Sequence, residues 1–207
     1  MKASDLGKLR KQMEKELEPK RYEHTLGVAY TAANLAAVHG NNVENALVAG
    51  MLHECAKCLS HKKQISLCTK NHMQLSELEK AEDSPLLHAK AGRILAEEEY
   101  DITDEDILNA ICYHTTGRPQ MSPLEKIVYI ADYMEPGRKH IKRTASEPSA
   151  DRLTQIRRMA YRDLDEALFN ILGDTLTYLQ EKGGKVDSMT QKTYEYYREH
   201  QNHGIVQ

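Results

Sequence analysis

The sequence is poor in aromatic residues, with no tryptophan, one phenylalanine and 11 tyrosines among 207 residues. Its core must therefore be built mainly from Leu, Ile, Ala, Val and Met, which suits helices that approach one another closely through small side chains. Hydrophobic residues still make up 40% of the chain. A folded chain of this length buries about 70% of its unfolded surface, so one ordinary domain with a real core is expected.

The sequence also lacks a long hydrophobic run. The longest one lies around residues 46–52 and is much shorter than the ~20 apolar residues that a membrane-spanning helix requires. The N-terminal segment contains no apolar stretch of the kind found in secretion signals. We therefore expect a cytoplasmic protein with no membrane partner. In a reducing compartment its cysteines are expected to be free thiols; they are Cys55, Cys58, Cys68 and Cys112.

Neither sign of charge is in strong excess, because 28 Lys and Arg residues face 31 Asp and Glu residues. Proteins that bind nucleic acid usually carry a clear basic excess, so no nucleic-acid partner is expected. The sequence shows no alternation typical of strands, no internal repeat and no low-complexity segment. It is therefore predicted to be an all-α protein that forms a single domain over residues 1–207.

Apolar residues recur at three- and four-residue steps in many segments, which predicts amphipathic helices. The predicted helices cover residues 4–17, 19–40, 43–57, 85–95, 105–113, 122–132, 150–182 and a last segment from 188 or 190. Asn42 is expected to cap the third of these helices, and two capping boxes are expected at Thr103 with Asp106 and at Ser122 with Glu125. Residues 60–83 are predicted to be a connection with one short helix near 74–80, and residues 139–151 a surface loop.

The helix around residues 46–52 is apolar on nearly every face, which is typical of a central helix. His53 and Glu54 follow this run directly, and buried polar groups need partners. Neighbouring residues on a helix point about 100° apart, so this pair can share one metal only near a helix end or a distortion. Further candidate ligands lie at or near other helix ends; they are His24, His88, His114 and Asp132.

A single histidine in such a place is most often an ordinary core or surface residue, so the metal interpretation depends on the whole set. Nitrogen and oxygen ligands together suit Fe, Mn, Zn or Co better than a metal that selects thiolates. Cys55-x-x-Cys58 has the spacing of a zinc or redox pair, but no second pair and no matching context follow it. We therefore expect these two cysteines to be structural or incidental.

His24, His53-Glu54 and Asp132 follow the H…HD…D pattern of the HD-domain metal-dependent phosphohydrolases. The surrounding segments are more specific, because Arg21-Tyr-Glu-His-Thr, His114-Thr-Thr-Gly and Ala131-Asp-Tyr-Met-Glu-Pro-Gly-Arg138 occur in order. These blocks resemble the bacterial YqeK-type branch of that family, the symmetrical diadenosine tetraphosphate hydrolases. The resemblance covers roughly residues 19–183.

The resemblance implies a helical HD-domain bundle with a metal-binding core at about 19–138 and C-terminal helices at about 150–200 packed on it. It implies a mono- or dinuclear iron site, with Mn, Co or Zn as alternatives, and suggests a homodimer. The implied reaction is hydrolysis of diadenosine tetraphosphate into two ADP by a metal-activated water. The implied metal ligands are His24, His53, Glu54 and Asp132.

The resemblance also implies roles for the residues around the metal. Lys57, His88 and His114 would be catalytic, the two histidines approaching a second metal or, as imidazolium ions, stabilising charge on the leaving ADP. Arg138 suits bidentate phosphate contact better than a lysine does. The full implied set that binds the metal and the nucleotide is Arg21, Glu54, Lys57, His88, His114, Thr115, Asp132, Arg138, Tyr178 and Lys182.

Glu54 departs from the family pattern, which has aspartate at this place. The extra methylene displaces the carboxylate by about 1.5 Å on an unchanged backbone, and a misplacement of about 1 Å can cost on the order of a hundredfold in rate. Two alternative functions therefore stay open at the level of sequence. One is a nucleotide-binding HD protein with reduced or lost turnover, and the other is a phosphohydrolase that acts on a different nucleotide.

Overall fold

The computed structural model describes residues 3–138, 141–144 and 147–201. Within them the chain forms eleven α-helices, one 3-10 turn and one two-stranded hairpin, which confirms the predicted all-α class. The first helices are α1 (Ala3–Glu16), α2 (Pro19–Val38), α3 (Val43–Leu52), α4 (His61–Lys70), α5 (Glu77–Lys80) and α6 (Leu87–Glu98), with the 3-10 turn at Cys55–Cys58. The later elements are α7 (Glu105–Tyr113), α8 (Pro123–Met134), β1 (Ile141–Thr144), β2 (Glu147–Ser149), α9 (Ala150–Ala160), α10 (Leu164–Glu181) and α11 (Ser188–Gln201).

The hydrophobic core is aliphatic, as the shortage of aromatic residues predicts. Its largest fully buried side chains are all Met, Leu or Ile, for example Met13 in α1, Ile130 in α8 and Leu168 in α10. Burying one such side chain contributes about 1.5–3 kcal/mol. The same core cluster contains residues from every α-helix except α5. The division into a metal-binding core and appended C-terminal helices stays a prediction.

Helices α2 and α3 approach each other through residues that have almost no side chain. A Cβ atom added at Gly50 in α3 would lie 2.7 Å from the Cα of Ala29 in α2, which is closer than a carbon atom can come. Glycine at this position therefore sets the distance between the two helices. The contact also brings His24, on α2, next to His53, which follows the last residue of α3.

Several helix starts match the sequence predictions. The Asn42 side chain accepts a hydrogen bond from the amide of Asn45 at 3.0 Å and caps α3. Ser122 and Glu125 form a reciprocal capping box at the start of α8. The predicted box at Thr103 is wrong, because α7 is capped by the neighbouring Asp104, which accepts from the amides of two following residues. An aspartate side chain is a strong capping group.

The predicted helix over 43–57 is wrong at its C-terminal end, because α3 ends at Leu52. The His53 ring donates through Nδ1 to the carbonyl oxygen of Gly50 at 2.6 Å. A side chain that hydrogen-bonds to the preceding turn competes with continuation of the helix. The backbone then tightens into the 3-10 turn. The break supplies the helix end that His53 and Glu54 need in order to face one centre.

Three other expectations are also wrong. The helix predicted over 150–182 is two helices, because the Asp163 side chain accepts from the amides of Asp165 and Glu166 and caps a new helix there. The loop predicted over 139–151 contains the antiparallel pair β1 and β2 and the start of α9, while residues 139–140 and 145–146 lie outside the described part. The connection predicted over 60–83 does contain the short helix expected near 74–80, which is α5, but it also contains an unexpected ten-residue helix, α4, capped by Ser60.

No helix in the described ranges is both long enough and apolar enough to cross a membrane.

Candidate metal centre

Two groups of potential ligands converge where several helices end. His24, His53 and Glu54 offer ligand atoms that all lie within 4.8 Å of one another, and the same is true of Glu54, His88 and His114. Glu54 belongs to both groups. The residues come from α2, from the turn after α3, from α6 and from the end of α7, so the helical packing itself assembles the cluster.

Asp132 of α8 completes the first group. Its Oδ1 lies 3.0 Å from Nε2 of His24 and 4.0 Å from Nε2 of His53. The two histidine Nε2 atoms are 3.4 Å apart. Two imidazole nitrogens and a carboxylate oxygen therefore point at one another across the space that a single metal ion fills when such ligands bind it.

The second group is equally compact. Nε2 of His88 lies 3.1 Å from Nε2 of His114 and 3.3 Å from Oε1 of Glu54. His53 links the two groups, because its ring stands perpendicular to that of His114 with the ring centroids 5.0 Å apart. All four of these residues are buried.

The hydrogen bonds on the outer ring nitrogens decide which atoms face inward as lone pairs. Nδ1 of His53 contacts the Gly50 carbonyl oxygen at 2.6 Å, and Nδ1 of His114 contacts the Ile111 carbonyl oxygen at 2.7 Å. A carbonyl oxygen only accepts, so each Nδ1 carries the proton and each Nε2 presents a lone pair to the cluster. Metal-binding histidines show this arrangement, so the residues present fit a metal ion.

Lys57 gives His88 a different environment. Nζ of Lys57 lies 3.1 Å from Nδ1 of His88, and Nε2 of His88 faces His114 and Glu54. Burial lowers the pKa of Lys57, although the nearby Glu54 opposes this shift. Lys57, His88 and His114 therefore form a continuous hydrogen-bonded chain.

Burial also sets the charges of the cluster. It lowers the pKa of His53, and it lowers the pKa of His114 to about 3, so both rings are neutral near pH 7. The imidazolium form expected for His114 is therefore wrong. Burial alone raises the pKa of Glu54, but hydrogen bonding and charge from His88 outweigh it and hold that pKa well below its usual range. Glu54 is accordingly an ionised carboxylate, the form that binds metals.

Two arginines lie at the acidic ligands. Nη1 of Arg21 is 3.0 Å from Oε2 of Glu54, and Nη2 of Arg138 is 3.0 Å from Oδ1 of Asp132. Arg21 and Arg138 both keep a large part of their side chains exposed. They can therefore meet a phosphate without leaving the edge of the cluster.

A cavity of about 550 Å³ opens directly beside the ligand cluster and is lined by His114 and Asp132 among others. Among the residues predicted for the site, those that line it are His114, Thr115, Asp132, Arg138 and Tyr178. The volume is within the range of small-molecule sites. Lys182, one turn beyond Tyr178 at the end of α10, is exposed and does not line the cavity.

The structure adds residues that the sequence prediction missed. Asp174 lies one helical turn before Tyr178, lines the same cavity and forms an ion pair with Arg152 at 2.7 Å. Glu135 is 4% exposed, and its Oε1 lies 3.2 Å from Nδ1 of His24. In the sequence, Glu135 could have been found only because it lies three residues after Asp132. Asp174 could have been found only because it lies four residues before Tyr178 and so shares a helix face with it.

The cysteines take no part in the cluster. All four are free thiols. Cys55 is buried with its sulfur 3.5 Å from the Gly92 carbonyl oxygen, and burial raises its pKa far above the ordinary value. Cys58 donates back to the Cys55 carbonyl at 3.4 Å. Neither thiol has the low pKa of a reactive or metal-binding cysteine.

Comparison with known proteins gives the cluster a context. The model of the HD domain family matches residues 21–137, a range that contains all five residues of the two groups and also Asp132. The symmetrical bis(5'-nucleosyl)-tetraphosphatase of Halalkalibacterium halodurans is 36% identical over 188 residues, which is 91% of this chain and 94% of that protein. The protein of the same name from Bacillus subtilis is 35% identical over 182 residues, covering 88% and 91% of the two chains.

A solved structure shows the same fold. The crystal structure of an HD superfamily hydrolase from Clostridium acetobutylicum, described as involved in NAD metabolism, is similar with a TM-score of 0.85 and 40% sequence identity. The similarity covers 97% of this chain and 99% of that one. Agreement over nearly the full length means that the helices carrying the ligand cluster and those lining the cavity recur together.

Proposed function

The chain belongs to the HD domain family, and from that premise we propose that it hydrolyses diadenosine tetraphosphate symmetrically into two ADP in a metal-dependent reaction. The observation that carries the proposal is the pair of ligand groups that share the buried Glu54 beside an open cavity. The substrate follows from relatives of that name that match over most of both chains.

We assign the metal to His24, His53, Glu54 and Asp132, with His88 and His114 available for a second ion. The ligands are nitrogen and oxygen atoms, which suit iron, manganese, cobalt or zinc, and we choose iron because the family resemblance implies it. When bound, such a metal activates a water molecule and neutralises phosphate charge. The inward lone pairs of His53 and His114 support this assignment because they exist without any rearrangement of the rings.

The charged residues at the edge of the cluster hold the polyphosphate. Arg138 lines the cavity and reaches Asp132, so its guanidinium can bind phosphate oxygens bidentately while remaining beside a ligand. Arg21 is paired with Glu54, and its guanidinium can likewise bind phosphate oxygens at that edge of the cluster. Lys57, hydrogen-bonded to His88, places a further positive charge where negative charge develops on the leaving ADP.

The wall of the cavity away from the metal receives the nucleoside. Tyr178 is 37% exposed and presents a ring on which a base can stack. Thr115 and Asp174 offer polar groups to the base or the ribose. Lys182 lies one turn beyond Tyr178 and outside the cavity lining, so its contact with the nucleotide stays a prediction.

Product identification tests the proposal. Protein reconstituted with Fe²⁺ or Mn²⁺ is incubated with diadenosine tetraphosphate, and the nucleotides are separated by anion exchange. We expect ADP alone, two molecules for each substrate consumed, and no reaction after chelation. An analogue with a methylene group in place of the central bridging oxygen serves as the control and should resist cleavage. AMP plus ATP as products, or turnover that survives chelation, would contradict the proposal.

Metal analysis of the same protein purified from its own source tests the metal assignment. We expect iron as the main metal and a loss of bound metal in Asp132→Asn. The matched control is Asp165→Asn, which removes a carboxylate that pairs with Lys126 outside the cluster. Equal metal content in the two variants would remove Asp132 from the ligand set.

A further inference from the structure

Glu135 is a buried carboxylate that the proposed reaction does not use. It follows the last residue of α8 and is 4% exposed. Its Oε1 lies 3.2 Å from Nδ1 of His24. This nitrogen is on the side of the ring that faces away from the cluster of candidate ligands. Leaving a carboxylate buried is costly unless it has a partner, and His24 is the one ionisable partner the structure gives it among the described residues.

The surroundings of Glu135 are shaped to admit this carboxylate. A Cβ at Gly27 would lie 2.6 Å from Oε2 of Glu135, and a Cβ at Gly137 would lie 2.8 Å from the same atom. A side chain at either position would displace the carboxylate from this place. The amide of Gly137 also donates to Oε2. These contacts fix the carboxylate independently of His24.

The position of the chain at Glu135 is fixed as well. Its carbonyl oxygen accepts from the amide of Arg138 at 3.0 Å and from Nη2 of Arg157 in α9 at 3.1 Å. The backbone of Glu135 is thus held by the turn after α8 and by α9, while the Gly137 amide holds its carboxylate. Such anchoring limits the directions from which it can meet the His24 ring.

His24 differs from the two neighbouring histidines in its outer partner. His53 and His114 each donate Nδ1–H to a backbone carbonyl of their own helix. His24 lies within α2, where the carbonyls of its own helix are already bonded, and so it needs a partner from another element. Glu135 occupies that place, and Nε2 of His24 points to Asp132 and His53.

We propose that Glu135 is the positioning residue of His24: its carboxylate holds the proton on Nδ1 and orients the ring so that Nε2 is presented to the metal. The inference rests on the proposed function, because it assigns a role at the same metal centre. A carboxylate behind a metal-binding histidine fixes the tautomer and raises the basicity of the ligand, and its loss typically weakens metal binding by about 10–100-fold.

Metal affinity, measured without substrate, tests this role. The dissociation constant for Co²⁺ is determined by competition with a chromophoric chelator in the wild type and in Glu135→Gln. We expect it to rise by about 10–100-fold in the variant. Glu135→Asp keeps the charge but shortens the side chain, and it should fall between the two. If Glu135→Gln does not fold, the comparison of Glu135→Asp with the wild type decides the question.

The control variant is Glu125→Gln, at the other end of α8. Glu125 is also buried and ion-paired, with Arg118 at 2.6 Å, and glutamine preserves its capping box. Its Co²⁺ affinity should stay within twofold of the wild type. A second readout is the exchangeable Nδ1 proton of His24 in the NMR spectrum of the Co²⁺ protein, which should be present in the wild type and exchange faster in Glu135→Gln.

The two possible failures are distinguishable. An unchanged Co²⁺ affinity in folded Glu135→Gln, or an equal loss in Glu125→Gln, would overturn the role of Glu135 while leaving the hydrolase assignment intact. Wild-type protein that binds Co²⁺ but does not cleave diadenosine tetraphosphate would refute the proposed function. The ratio of affinities between the wild type and Glu135→Gln would still report on Glu135.

Discussion

Glu54 uses both of its carboxylate oxygens, and in different directions. Oε1 lies 3.3 Å from Nε2 of His88, and Oε2 lies 3.0 Å from Nη1 of Arg21. The side chain thus spans from the second ligand group to the arginine at the edge of the cluster. The longer side chain of glutamate, which looked unfavourable in the sequence, is what allows Glu54 to reach both partners. The structure therefore gives no support to the alternative in which the protein has lost turnover.

Shortening this side chain should therefore reduce activity. In Glu54→Asp the carboxylate withdraws by about 1.5 Å and cannot keep both contacts. We expect kcat to fall by about ten- to a hundredfold, as measured with diadenosine tetraphosphate at saturating metal. Glu77→Asp changes an exposed glutamate of α5 in the same way and should have no effect. A rise in kcat in Glu54→Asp would instead favour the alternative of impaired turnover in the natural chain.

Sequence reasoning picked out the candidate ligands that the structure brings together, because each stands at or near a helix end beside an apolar face. It did not find Glu135 or Asp174 as site residues. Glu135 reaches His24 from 111 positions away in the chain, and no local pattern reveals such a contact. Asp174 lies inside α10, where an aspartate is usually a solvated residue. The residue spacing within one helix does not predict contacts that depend on how different helices pack together.

The helices supply the same local arrangement twice. His53 follows α3 and donates to the carbonyl three residues before it, and His114 does the same after α7. In both cases a free carbonyl of the last turn accepts the hydrogen bond. A histidine just after the last residue of a helix is thus oriented by a carbonyl of that helix. This explains how His53 and His114, which lie in different segments, both point Nε2 at the same centre.

The close contact between α2 and α3 should be essential to this centre. In Gly50→Ala the new Cβ would lie 2.7 Å from the Cα of Ala29, so the helices must separate. Such overpacking typically costs about 1–3 kcal/mol, and it should also weaken Co²⁺ binding by moving His24 away from His53. Urea unfolding and chelator competition measure the two effects.

The matched control for that substitution lies in α1. At Gly7 a Cβ would meet no atom within 4 Å, so Gly7→Ala should raise the free energy of unfolding by about 0.5–1 kcal/mol and leave metal affinity unchanged. If Gly50→Ala were as stable and bound metal as tightly as the wild type, the distance between α2 and α3 would not limit the site.

Helix existence was more predictable than helix ends. Periodicity located α1, α2, α7 and α8 closely because each carries one continuous apolar face. It could not see the break between α9 and α10, since the apolar spacing continues on both sides of Asp163 while the side chain of that one residue caps a new helix. The hairpin of β1 and β2 was missed because a short polar strand pair has no strong alternation.

Most of the core helices meet at the cluster of candidate metal ligands. Ligands from α2, the turn after α3, α6, the end of α7 and α8 meet there, so a bound metal links most of the elements of the core. The all-α class and the HD resemblance could both be drawn from the sequence. The arrangement of the C-terminal helices around the cavity could not, and the homodimer stays a prediction.

Metal removal should therefore lower the thermal stability of the whole protein. A ligand at about 100 times its dissociation constant stabilises the folded state by about 2.7 kcal/mol, which corresponds to roughly 5–10 °C in Tm for a chain of this size. We expect a decrease of that order when a chelator is added to the metal-loaded protein, as measured by calorimetry. Asp132→Asn should show a much smaller change, and an unchanged Tm in the wild type would contradict a metal that joins these helices.

The distance along the chain between His24 and Glu135 also has a consequence for biosynthesis. The ring of His24 is oriented by a carboxylate that the ribosome adds 111 residues later. A nascent chain that ends before α8 holds His24 and His53 but neither Asp132 nor Glu135, so it cannot retain the metal in the finished geometry. Binding of the proposed metal in that geometry therefore requires that α8 has already been synthesised.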